Sequence, residues 1–182
     1  MEMIKSKVGN REFMLPKDNI ILVLEHHVTG QKKFHYGKNI VTTAGNVFYA
    51  QMISIGILVS GSPTNVFTQL VLSTAGPATP AVSDTYATFN SGQQTGKAVT
   101  AAYPKTADGD SDNTGAGATV LTWLHSFTTG DGPYTAIQWC FIAKAGASGS
   151  DPILNSYKFG AAWSKDASTS AKIFTNHVFL GA

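Results

Sequence analysis

The chain has 182 residues, of which 13% are charged and 43% hydrophobic, and a formal net charge of +2. That length suits one domain or two small ones with a real core, and the apolar content excludes a disordered, charge-rich tail. A single cysteine, Cys140, excludes internal disulfides and Cys-based zinc sites, and 12 Lys with one Arg, in no basic stripe, argue against nucleic acid as a partner.

Residues 1–18 read as an extended arm. They mix both charges, contain Gly9 and Pro16, and show no hydrophobic period. The arm has no apolar run of about 7–15 residues, so no signal peptide is expected. Residues 19–28, NIILVLEHHV, read as a strand. Thr29-Gly30-Gln31 is a turn, and Lys32 to Tyr36 returns as the second strand of a hairpin.

From residue 39 to residue 83 the chain carries no charged side chain, a run of 45 residues. Two readings coexist: much of it is core, or part of it is covered by another subunit, because interface cores are depleted in charge. Within it, residues 44–58 fit a short buried helix through Phe48, Met52, Ile55 and Val59, although strand alternation fits part of the same stretch. Thr42 or Thr43 is expected to cap it. Its apolar stretch is too short for a membrane span, which needs about 20 residues.

The remainder reads as strands. Candidates are Val66 to Ser73, Lys97 to Tyr103, Ala118 to Thr128, Thr135 to Ala143, Pro152 to Phe159 and Lys172 to Leu180. Clusters of Gly, Pro, Asp and Ser separate them. The expected fold is all-β, an antiparallel β-sandwich or jelly roll with one short helix near 44–58, and residues 19–182 form one domain.

Candidate chemistry is sparse. Asp108, Asp110 and Asp112 alternate as in the opening of a calcium loop. However, Asn113 stands at the sixth position and Thr119 at the twelfth, where Gly and Glu belong, so a solvated turn is expected. His26 and His35 are expected to face each other across the hairpin, but nothing completes a ligand set. No Gly-x-Ser-x-Gly elbow or phosphate loop occurs, and the three Glu all lie within the first 25 residues. No enzyme, cofactor or metal is expected. Cys140 should be a buried, inert thiol. Trp123 and Trp139 share strand phase with Leu121 and Ile137 and read as core, which leaves Trp163 as the one tryptophan expected at the surface. An exposed aromatic platform would favour a carbohydrate-binding module.

One ordered set of features carries a resemblance. The apolar strand ILVLEHH is followed by the Thr29-Gly30 turn and a second strand. Then come Gly37-Lys38-Asn39-Ile40-Val41-Thr42-Thr43-Ala44-Gly45 and an apolar helix. The strand FTQLVLST and an Ala-x-Pro-Ala-x-Ser-Asp-Thr loop at residues 78–85 complete the set. It resembles a group of tailed-bacteriophage virion proteins that includes capsid decoration (cement) proteins. The resemblance implies a β-sandwich or jelly roll, commonly a homotrimer, on the outside of a phage head assembled in the bacterial cytoplasm. Its partners would be the major capsid protein and copies of itself. A tail, baseplate or fibre-adaptor role is the alternative. Asn39 can bond its own backbone, and Gly45 can either let the helix pack closely or permit an unusual backbone dihedral. In the arm, Phe13, Met14 and Leu15 are the expected apolar anchor across a neighbouring subunit, with Lys5, Lys7 and Arg11 near acidic capsid surface; the alternative is an arm folded back along its own sandwich as an extra edge strand.

Overall fold

The computed structural model describes residues 3–8, 11–16, 19–58, 67–92, 95–106 and 120–178. Residues 3–16 hold β1 (Met3–Val8) and β2 (Arg11–Pro16). They pair antiparallel, with Ile4 opposite Leu15 and Lys7 opposite Glu12. This hairpin replaces the single extended arm expected from the sequence. Two six-residue strands separated by Gly9-Asn10 satisfy each other's backbone groups, which an isolated arm cannot do.

The chain then runs through β3 (Asn19–His26), β4 (Lys32–Lys38), β5 (Ile40–Val41), α1 (Thr43–Leu58) and β6 (Phe67–Ser73). A 3-10 turn (Tyr86–Phe89), β7 (Lys97–Ala98) and β8 (Lys105–Thr106) follow. β9 (Val120–Phe127), β10 (Tyr134–Lys144), β11 (Ile153–Lys165) and β12 (Thr169–Val178) complete the order. Two five-stranded antiparallel sheets result, in the orders β5-β11-β10-β6-β7 and β4-β3-β12-β9-β8. Mostly antiparallel strand with one helix agrees with the expected all-β sandwich class.

The described chain forms two compact units. The first comprises residues 1–39, 99–136 and 159–182, and the second residues 40–98 and 137–158. The chain passes between them four times, at 39/40, at 98/99 just after β7, inside β10 and inside β11.

In the first unit, β3 lies between β4 and β12 and is buried continuously from Ile20 to Leu24, as a central strand with both faces covered must be. β4 lies at the sheet edge and alternates in exposure. One face carries Ile21, Val23, Leu124 and Phe174, with Phe34 and Tyr103 packed against them. The other follows the register His125–Ile173–Leu22–His35 and Trp123–Thr175–Ile20. Lys165 is 2% exposed, and its ammonium donates to the carbonyls of Thr129, Asp131 and Asp166. Those bonds satisfy the buried charge and pin the turn before β10.

In the second unit, Val71, Phe89, Trp139, Phe141, Ala143 and Ile153 form the core. Phe89 stacks on Phe141 with centroids 4.5 Å apart. Beside them, Lys158 Nζ lies 5.6 Å from the Trp139 ring and 2.9 Å from the Ala78 carbonyl, which it donates to. That bond holds the 76–92 segment against the sheet.

Candidate functional site

The helix begins where the sequence places it. Thr42 Oγ1 accepts the Gly45 N–H at 3.0 Å, the first-turn cap, and the Thr43 N–H donates to the Val82 carbonyl at 2.8 Å. The second bond ties the helix start to the loop 81–85. Asp84 shapes that loop from below. Its Oδ2 accepts the Ala81 N–H at 3.0 Å and the Ser156 hydroxyl at 2.7 Å, and the side chain is 7% exposed.

Between this loop and α1 lies a groove of about 550 Å³. Ala44, Val47 and Phe48 form its helical wall, Phe67 and Pro152 its floor and end, and Val82 the opposite lip. Phe48 meets Phe67 edge-to-face at 5.0 Å. No Lys, Arg, His or Glu lines it, and its one carboxylate is taken up by the Ala81 and Ser156 bonds. Val47 is 51% exposed and Val82 55%, an apolar display that a solvated loop has no need of. Such a wall is suited to an apolar side chain from another protein surface and poorly suited to an ion.

The sequence-derived anchor residues fall on the N-terminal hairpin. Phe13, Met14 and Leu15 are consecutive on β2. Lys5 and Lys7 lie on β1 opposite Met14 and Glu12, and Arg11 opens β2 opposite Val8. The hairpin thus gathers all six into one short ribbon.

Other expectations meet the structure as follows. Trp163 is buried, at 2% exposure, and packs edge-to-face on Phe159, so all three tryptophans are interior and none offers a platform. It lies within β11, which runs six residues beyond the expected Phe159 end and so takes Trp163 into the sheet. His26 and His35 are not cross-strand partners. Leu22 is opposite His35, and His26 pairs with Thr169 on the other side. Lys97 to Tyr103 contains only the two-residue β7. Asn39 does not turn on its own backbone; its Nδ2 lies 2.9 Å from His177 Nε2. Because the amide nitrogen donates, that imidazole nitrogen accepts. Cys140 is 1% exposed, and burial pushes its thiol well above the ordinary range. Asp108, Asp110 and Asp112 lie outside the described residues. Among the described residues, no three His, Cys, Asp or Glu side chains come together as a metal site, and no helix is long and apolar enough to cross a membrane.

The sequence reading missed the buried carboxylate of Asp84 and the buried ammonium of Lys165. For Asp84 a signal existed: Ala81-x-x-Asp84 is the spacing of an aspartate that turns back onto a backbone N–H. No protein-family model, curated protein or solved structure matches the chain.

Proposed function

We propose that this chain is a structural protein of a tailed-phage virion, and within it a decoration (cement) protein on the capsid exterior. The observation that carries the reading is the α1 groove. It exposes Val47 and Val82 in a 45-residue segment without a single charge. That is the composition of a surface that loses water on contact. The resemblance of residues 19–90 to virion proteins points the same way.

In this reading three copies meet about a threefold axis, each presenting the α1 groove face to a neighbour. The N-terminal hairpin grips the major capsid protein, with Phe13, Met14 and Leu15 as apolar anchor and Lys5, Lys7 and Arg11 toward acidic surface. Its mechanism is burial of neutral surface, at about 25 cal/mol per Å² before ordering costs. By bridging capsid subunits it opposes the outward pressure of packaged DNA. The role needs no catalytic residue, cofactor or nucleic-acid contact.

Sedimentation of the purified protein tests the subunit contact. The wild type should run as a trimer, and Val47→Lys with Val82→Lys should run as a monomer with an unchanged circular dichroism spectrum. A wild-type monomer, or a trimer indifferent to both lysines, would remove the groove from the interface.

A further inference from the structure

Cross-strand register places four of the five histidines on one sheet face of the first unit. His125 on β9 is opposite Ile173 on β12, Ile173 is opposite Leu22 on β3, and Leu22 is opposite His35 on β4. Partners across an antiparallel pair share a face, and so do residues two apart on a strand. The same face therefore carries His177 on β12, His26 on β3 and Lys33 on β4. No carboxylate of these four strands joins them. Glu25, their one acidic residue, lies on the opposite face and pairs with Lys32.

The elements packed against this face supply no buried counter-charge. β11 adds Phe159, edge-to-face on His35 at 6.5 Å, and the buried ammonium of Lys165. β10 adds Tyr134, which packs on Phe127. Asp166 stands near His26 and Asp131 near Tyr134, at the ends of the face, and each accepts hydrogen bonds from its own turn. Within the face His125 is fully buried, and neither of its ring nitrogens has a partner. His177 is buried with its Nε2 accepting from Asn39. An imidazolium at either position would be a buried cation without an anion, beside a layer that already holds Lys165. A proton therefore binds there only when the face opens to water. Burial and Lys33 lower the pKa of His35 as well, which acts in the same direction.

The second unit contains no histidine. Strands β3, β4, β9 and β12 belong wholly to the first unit, whereas the pairings of β10 with β6 and of β11 with β5 lie wholly in the second. Loss of the first unit thus leaves the sheet of the second its own pairings, the condition for a separate opening unit.

We propose that the four-histidine face is an acid-sensitive latch: as pH falls from neutral toward 4.5 the first unit opens, taking up about two protons on His125 and His177, and the second unit keeps its fold. Opening uncovers Ile20, Leu22 and Trp123, an apolar surface hidden at neutral pH. The inference does not depend on the virion reading.

Backbone hydrogen exchange of the 15N-labelled full chain at pH 6.5, 5.5 and 4.5 tests this. Each rate divided by the intrinsic rate gives an opening constant. For amides of β3, β9 and β12 that constant should rise about 100-fold from pH 5.5 to pH 4.5, two protons at about tenfold each, and about tenfold in His125→Leu. Amides of β6 should keep theirs. His27→Gln, at an exposed position outside the face, should match the wild type. The contrast between β6 and β12 in the wild type decides the matter even if His125→Leu does not fold. An equal rise in both units, an opening constant of the first unit that ignores pH, or an undiminished rise in His125→Leu would overturn the proposal.

Discussion

Gly45 lies so close to Leu154 that a Cβ placed on it would sit 2.1 Å from the Leu154 carbonyl oxygen. The contact is backbone to backbone, between the first turn of α1 and β11, so no side chain can swing away to relieve it. Gly45→Ala should therefore destabilise. Alanine gains about 1 kcal/mol in helix propensity, but overpacking against an immovable carbonyl costs about 1–3 kcal/mol and displaces the helix. For a chain of this size, each net kcal/mol lowers the melting midpoint by about 2–4 °C. Gly160, which has nothing within 4 Å of its Cβ position, is the control and should tolerate alanine. A melting point for Gly45→Ala at or above wild type would show that the helix is free to move.

Thr42 caps the same helix. Its Oγ1 accepts the Gly45 N–H and donates to the Ile153 carbonyl, and the side chain is 1% exposed. Thr42→Ala leaves both backbone groups without this partner and should cost about 1–3 kcal/mol in urea denaturation. Thr42→Ser keeps the hydroxyl and loses one methyl, so it should cost about 0.8 kcal/mol. Equal losses for the two variants would mean that packing of the methyl matters and the cap does not.

Much of this was legible in the sequence, and the misses have physical causes. A cap at Thr42 or Thr43 was readable, and so was a special role for Gly45, but which threonine caps and that Gly45 serves a close approach came from the structure. The β3–β4 hairpin was readable from its Gly30 turn, which adopts a φ of 65°. The residues 3–16 hairpin was not, because Ser6 falls between Ile4 and Val8 and Phe13-Met14-Leu15 is a continuous apolar run, so neither segment alternates cleanly. Trp163 was misplaced because Ala161, Ala162 and Ser164 around it are exposed. A single inward ring between outward small residues looks like a surface feature in one dimension. The α1 groove joins segments far apart in the chain, such as Val47 with Pro152. Local pattern cannot show such a meeting.

His125 and His177 predict an acid sensitivity. Both lie in the first unit, His125 0% and His177 1% exposed. Desolvation lowers each pKa from 6.5 to about 3. Neither nitrogen of His125 has a hydrogen-bond partner. Since the folded pKa lies below the unfolded one, the unfolded state binds protons first as pH falls. Stability is fully present above about pH 6.5 and is lost progressively toward pH 3, by about 3 kcal/mol per ring at pH 4. Urea denaturation between pH 8 and pH 4 measures this. His125→Leu should remove about half of the histidine-linked loss and give up no hydrogen bond. A pH profile identical in His125→Leu and wild type would show that His125 is neutral in both states, or already charged in the fold.

The most direct measurement of the central claim is cryo-electron microscopy of virions that contain this chain. The account predicts density for it on the outer surface of the head, in groups of three about threefold positions. In that density the α1 faces meet each other and the N-terminal hairpin rests on the major capsid protein. Density confined to the tail, baseplate or fibre attachment, or a head surface without this chain, would contradict it.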